Sequence, residues 1–213
     1  MRQISKKEPI PEFLAFVRKG PHTNWEDIHD GKKFPGLYRK CRDHILIEEQ
    51  DCISGYTEMP LDSEGNIHID HFRKKGMNWN PDQTFNWDNF IVDSLDSEYG
   101  ACHKDKCIKD IADYEKLIDP VKENPHDYFT YLSNGDIVPK NGLCESDMAK
   151  AEFTRDSFNL HCEFLRSKRL SIMKLVESYL PIFSKEEILS ALSASGFTSV
   201  IEYVCDSQDG FVS

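Results

Sequence analysis

Apolar and polar positions change period several times along the chain, and each change marks an element. Pro11 opens a short helical stretch with Phe13, Leu14, Phe16 and Val17 as its apolar part, ended by Gly20-Pro21. Trp25 to His29 suit a further turn, and after Pro35-Gly36 the apolar positions Leu37, Cys41 and Ile45 recur every four residues, which predicts a helix. The period then falls to two. Cys52 to Met59 is rich in β-branched and aromatic residues and reads as a strand, with Pro60 to Gly65 as a hairpin loop. A second strand follows, in which Ile67, Ile69 and Phe72 stand against His68, Asp70 and His71. A polar loop with Arg73-Lys74-Lys75, Asn78, Asn80 and Pro81 leads through Asn86-Trp87-Asp88-Asn89 to a segment that can coil from Ser97 onward. That helix carries Cys102-His103-Lys104 and continues with Ile108, Ile111 and Leu117 inward until Pro120.

Beyond Pro120, Asn134-Gly135 between two apolar runs is a strong hairpin signal, and the hairpin is too short to be more than a lid or brace. Glu145 to Leu180 has a helical period, with Phe158, Cys162, Leu165, Ile172, Val176 and Tyr179 near one face and Pro181 as the stop. Ser184 and Glu187 have capping-box spacing ahead of Ile188, Leu189 and Leu192. Gly196 separates these from a last short helix with Val200, Ile201 and Val204. Three segments follow from this pattern: a helical arm over 1–50, a core over 51–119, and a β-hairpin plus helices over 120–213.

Composition narrows the setting. With 213 residues, 39% of them hydrophobic, the chain is long enough for one sizeable core with or without an appended lobe. No apolar run approaches the ~18 residues of a membrane span, and MRQISKKEPI lacks the apolar centre of a signal peptide, so a cytoplasmic location is expected. Seven scattered cysteines then read as free thiols. The net charge of −11 works against unaided binding to a polyanion. Cations are nevertheless local, at Lys32-Lys33, Arg39-Lys40-Arg42, Arg73-Lys74-Lys75, Lys104-Lys106-Lys109 and Arg166-Lys168-Arg169.

Chemistry concentrates in residues 66–106, where Asp70-His71 on a strand, Asn89 in a loop and His103 on a helix follow one another. In that order the stretch resembles an HNH endonuclease, which implies an α+β fold: a ββα-metal nuclease core embedded in a mostly helical protein. The resemblance assigns His71 as the base that takes a proton from water, a role an imidazole suits near neutral pH. Asp70 and His103 would hold Mg²⁺ or Mn²⁺, which neutralises the departing oxygen. Asn89 would clamp backbone across the loop to aim His71, with Asn86 as its nearest competitor. Arg73, Lys74, Lys75, Lys104 and Lys106 flank the site and would meet phosphate. Many HNH proteins also bind structural zinc through two Cys-x-x-Cys pairs. Here Gly55 and Tyr99 replace one thiol of each pair, so structural zinc is not expected unless Cys41 or Cys107 joins Cys52 and Cys102.

The opening Met-Arg-x-Ile-x-Lys, a Glu-Glu-Gln before Cys52, the segment Ile-Asp-His-Phe-Arg-x-Lys and a helical C-terminal half narrow the resemblance. Together they are similar to the HNH subunit family (PtuB) of Septu-type bacterial antiphage systems, relatives of which serve as retron effectors. That implies an ABC/SMC-like ATPase partner (PtuA-like) and nucleic acid, DNA or a folded RNA such as tRNA, as substrate, with a retron reverse transcriptase as a further partner in the retron setting. A polyanion-binding partner also suits the acidic charge balance. On this reading the C-terminal helices and the N-terminal arm dock onto the ATPase, unless they simply complete one core. The alternative function is a catalytically silent adaptor that keeps an HNH fold for structural reasons.

Overall fold

The computed structural model describes residues 1–20, 24–76 and 78–209, the last two without their side chains. Pro21, expected to help end the first helix, lies outside the described residues. The first helix, α1 (Pro11–Arg18), does start at Pro11, where a missing N–H costs nothing. It buries Phe13 and Phe16, while Leu14 and Val17 stay exposed. A 3₁₀ turn over Trp25–His29 precedes α2 (Leu37–His44), which runs on as a π turn through Ile45–Glu49. Phe13, Phe16, Trp25, Leu37, Cys41 and Ile45 pack with Ile67, Ile69, Phe90 and Val92 into one hydrophobic cluster.

That cluster covers one face of a two-stranded sheet, in which β1 (Ile67–His71) pairs antiparallel with β2 (Phe90–Ser94). The partner strand therefore follows β1, and residues 52–59, expected to fill that place, form turns with a single bridge between Ile53 and Pro60. Asp51, Cys52 and Glu58 sit at φ of 51°, 59° and 61°, a left-handed backbone that cannot be part of a strand. Side chains alternate strictly along β1. His71 consequently joins Ile67 and Ile69 on the first face, and Phe72, whose N–H still pairs with Asn89 O, falls with Asp70 on the second. This reverses the sides expected for His71 and Phe72.

The second face lies under α3 (Gly100–Cys107). Instead of continuing to Pro120, α3 stops when Ile108 becomes extended, and Asp110 accepts from Ala112 N to start a 3₁₀ turn, Ile111–Lys116. Ile108 and Leu117 are buried, but Ile111 faces outward. The Asn134-Gly135 hairpin forms as expected between β3 (Phe129–Tyr131) and β4 (Ile137–Pro139). Gly135, at φ +86°, lies against backbone of Arg166 and Leu170, so the hairpin braces the helix that carries them.

The long helix expected over 145–180 is two helices, α4 (Glu145–Ser157) and α5 (Glu163–Tyr179). Asn159 at φ +49° turns the chain between them, and Phe158 and Leu160 bury at the turn. The capping box at Ser184 and Glu187 opens α6 (Lys185–Leu192), and α7 (Thr198–Asp209) follows Gly196. Apolar residues of α4 to α7 join Tyr56, Phe72, Ile91 and Tyr114 in a second cluster on the α3 side of the sheet. Arg169, expected on a cationic face with Arg166 and Lys168, is buried and donates to the carbonyls of Gly135 and Leu160 at 2.7 and 2.9 Å. Among the described residues no helix is long and apolar enough to cross a membrane.

Candidate functional site

The segment from Arg73 to Asn89 leaves one strand of the sheet and returns to the other, and Asn89 ties it together. Its side-chain oxygen accepts from Arg73 N at 2.8 Å, and its amide nitrogen donates to Arg73 O at 2.9 Å and Gln83 O at 3.0 Å. Three bonds to backbone on both limbs of the loop leave Asn89 no freedom to do anything else. Asn86 plays a different part, since its oxygen accepts from Asp88 N and starts the 3₁₀ turn Trp87–Asn89.

One residue beyond Gln83, the carbonyl of Thr84 lies 3.0 Å from His71 Nε2. A carbonyl only accepts, so in the neutral ring Nε2 carries the hydrogen and Nδ1 keeps the lone pair. His71 is 4% exposed, and its ring sits between Trp25, edge-on with centroids 4.4 Å apart, and Phe90 at 5.1 Å. Burial, and next the ammonium of Lys75, lower the His71 pKa to about 4, against smaller opposing effects of Thr84 and Asp70. His71 is thus a neutral imidazole at any pH near 7, with its tautomer fixed.

Asp70 points to the other face and finds a cation already waiting. Lys104 Nζ is 2.8 Å from Asp70 Oδ2, 3.0 Å from His71 O and 3.1 Å from Phe72 O, so three acceptors meet its three donors. Tyr56 donates its hydroxyl to the same Asp70 oxygen at 2.5 Å. Burial disfavours both charges, yet their attraction outweighs it: the Asp70 carboxyl is held below its ordinary value and the Lys104 ammonium above its own. Lys104 is fully buried, which removes it from the phosphate-facing residues expected in this stretch. Beside them Asp93 accepts from Ser54 Oγ and from Ala101 N, anchoring the first turn of α3 to β2. Burial raises Asp93 to about 6, against the hydrogen bonds it accepts from Ser54, Ala101 and Ser94.

His103 has its hydrogen-bond partners elsewhere than at Asp70. Its Nδ1 lies 2.8 Å from the Ser157 carbonyl at the end of α4 and 3.5 Å from Cys107 Sγ. Among the described residues no group of three or more His, Cys, Asp and Glu side chains gathers closely enough to hold a metal ion. No disulfide joins the described cysteines; Cys52 is exposed and Cys41 is buried in the first cluster, its thiol pushed up to about 12 mainly by burial.

The remaining cations differ in availability. Arg73 pairs with Glu115 at 2.9 Å, and Lys74 Nζ donates to Asp105 O at 2.7 Å over the Trp79 ring. Lys106 donates to Ser97 O at 2.7 Å from an exposed position. Lys75 is exposed, 5.6 Å from the Trp25 ring, and its charge reaches His71. Tyr56, Thr84, Trp25 and Asp93 complete the site without having been singled out in the sequence. Thr84 acts through a backbone carbonyl that any residue supplies, while Tyr56, Trp25 and Asp93 owe their places to contacts distant in sequence. Set against protein-family models and curated proteins, the chain matches none.

Proposed function

We propose that the chain is an HNH-type endonuclease, a hydrolase of nucleic-acid phosphodiester bonds in which His71 is the general base. The observation that carries this reading is the Thr84 carbonyl on His71 Nε2, within a loop that Asn89 pins at Arg73 and Gln83. A base must be unprotonated, of one tautomer and held in place, as His71 is; with its pKa lowered to about 4 the ring is a weak base, so positioning and not basic strength carries the role. Its Nδ1 lone pair takes a proton from water as the oxygen attacks phosphorus, the bond to the 3′ oxygen breaks, and that oxygen takes a proton from solvent. Lys75, the exposed cation beside the ring, meets the phosphate charge. The β1–β2 pair followed by α3 then serves as a ββα core.

A divalent ion, Mg²⁺ or Mn²⁺, does not fit the residues as they stand. Asp70 is neutralised by Lys104 and bonded by Tyr56, and His103 is engaged at Ser157. On the narrower resemblance the substrate is DNA or tRNA in antiphage defence, and an ABC/SMC-like ATPase delivers or restrains the nuclease. A second reading, the silent adaptor, is favoured by the burial of His71 and by the fully paired Asp70.

Incubating the purified chain with labelled duplex DNA and with total RNA, under Mg²⁺, Mn²⁺ or chelator, separates the two. The nuclease reading expects cleavage in at least one mixture and a fall of about 10²–10⁴-fold in His71→Ala. Cleavage that persists unchanged in His71→Ala would reject the base. No cleavage by wild type with or without its ATPase neighbour would favour the adaptor.

A further inference from the structure

The surroundings of Lys104 are those of a bound hard cation. Its ammonium is enclosed by oxygen: the Asp70 carboxylate, the carbonyls of His71 and Phe72, and at 3.3 Å the Asp105 carboxylate. Carboxylates and backbone carbonyls are also what Mg²⁺ and Mn²⁺ select. The chain supplying them is short, since Asp70, His71 and Phe72 are consecutive and converge on one point at the end of β1. The rings of Tyr56 and Phe72, each 5.9 Å from Nζ, close two further sides. No surface lysine needs such a setting, and burying one costs heavily unless it is paired.

We propose that the ammonium of Lys104 is a built-in occupant of a cation site centred on Asp70, so that a divalent ion reaches Asp70 only in competition with it. Two cations cannot share one buried carboxylate oxygen without strong repulsion. Lys104 therefore keeps the Asp70 site closed to metal until its side chain leaves, and the buried stem gives it little room to do so. The proposal deepens the nuclease reading, since it explains how Asp70 behaves toward the ion that an HNH site would use. Its test measures metal binding alone, so an absence of cleavage would leave it standing, and its own failure would leave the role of His71 intact.

Lys104→Met removes the charge and keeps the length. Free Mn²⁺, followed by its electron paramagnetic resonance signal, is titrated with wild type, Lys104→Met and the double variant Asp70→Asn/Lys104→Met. Lys104→Met should bind at least about tenfold more tightly than wild type, and the double variant should lose that gain. Mn²⁺ should also raise the melting temperature of Lys104→Met more than that of wild type. Equal affinity of wild type and Lys104→Met, or a gain that survives Asp70→Asn, would overturn the proposal. If Lys104→Met does not fold, Lys104→Gln replaces it. If neither folds, wild type enriched in ¹⁵N-lysine decides: one slowly exchanging ammonium resonance that persists as diamagnetic Mg²⁺ is added is expected, and its absence, or its loss at low Mg²⁺, would overturn the proposal.

Discussion

At His71 and Asp93, two buried groups on opposite faces of one small sheet titrate in overlapping ranges with opposite effects on stability. His71 falls from 6.5 unfolded to about 4 folded, so its contribution is present above 6.5 and is lost as pH falls toward 4. Asp93 rises from 3.8 to about 6, so its contribution is present below 3.8 and is lost as pH rises through 6. Between pH 4 and 6 the two slopes oppose each other. Replacing Asp93 with Asn leaves the His71 slope alone, and stability should then climb with pH more steeply than in wild type, by up to about 1.4 kcal/mol per pH unit. Urea unfolding of both proteins at pH 4.5, 5.5 and 6.5 measures this. Parallel pH dependences would mean that folded Asp93 gives up its proton at an ordinary pH. Little of this is legible in the sequence. Asp70, His71, Asn89 and His103 stand out by type and order, but the protonation of His71 depends on burial and on Lys75, and that of Asp93 on its enclosure in the fold.

Among the elements, the Arg73–Asn89 loop and α3 make the sharpest predictions. Asn89→Ala removes three bonds to half-buried backbone and should destabilise the fold by about 2–4 kcal/mol, whereas Asn86→Ala loses a turn cap worth about 1 kcal/mol. Chemical denaturation of the pair checks the ranking, and an Asn86 loss as large as that of Asn89 would contradict the clamp. Gly100 is at φ +68°, and a Cβ there would overlap the Asp93 carboxylate, so Gly100→Ala should cost more than about 2 kcal/mol. Local signals for elements are readable where they act locally: Pro11 starts α1, Asn134-Gly135 turns β3 into β4, and the Ser184 box opens α6. They mislead where distant residues decide. Cys52 to Met59 has strand composition, but its left-handed residues follow from long-range anchoring, with Glu58 bonded to Ser199 of α7. Lys104 reads as a surface charge until Asp70, 34 residues away, is seen beside it.

Across the whole molecule the sheet divides two hydrophobic clusters, one closed by the N-terminal elements and the other by α4 to α7. The C-terminal helices are thus part of the core that buries Tyr56, Phe72 and Tyr114, which leaves less of them for docking. Ending the chain after Asn141 should expose this cluster and give an aggregating product, scored by gel filtration; a soluble fragment with a sharp melt would contradict it. Whether His71 is a neutral, positioned base is tested most directly by the pH dependence of single-turnover cleavage. A His71-dependent rate should be flat from about pH 5.5 to 8 and fall only toward pH 4, because the buried ring is already deprotonated. A rate that titrates near 6.5, or one that is the same in His71→Ala, would contradict it.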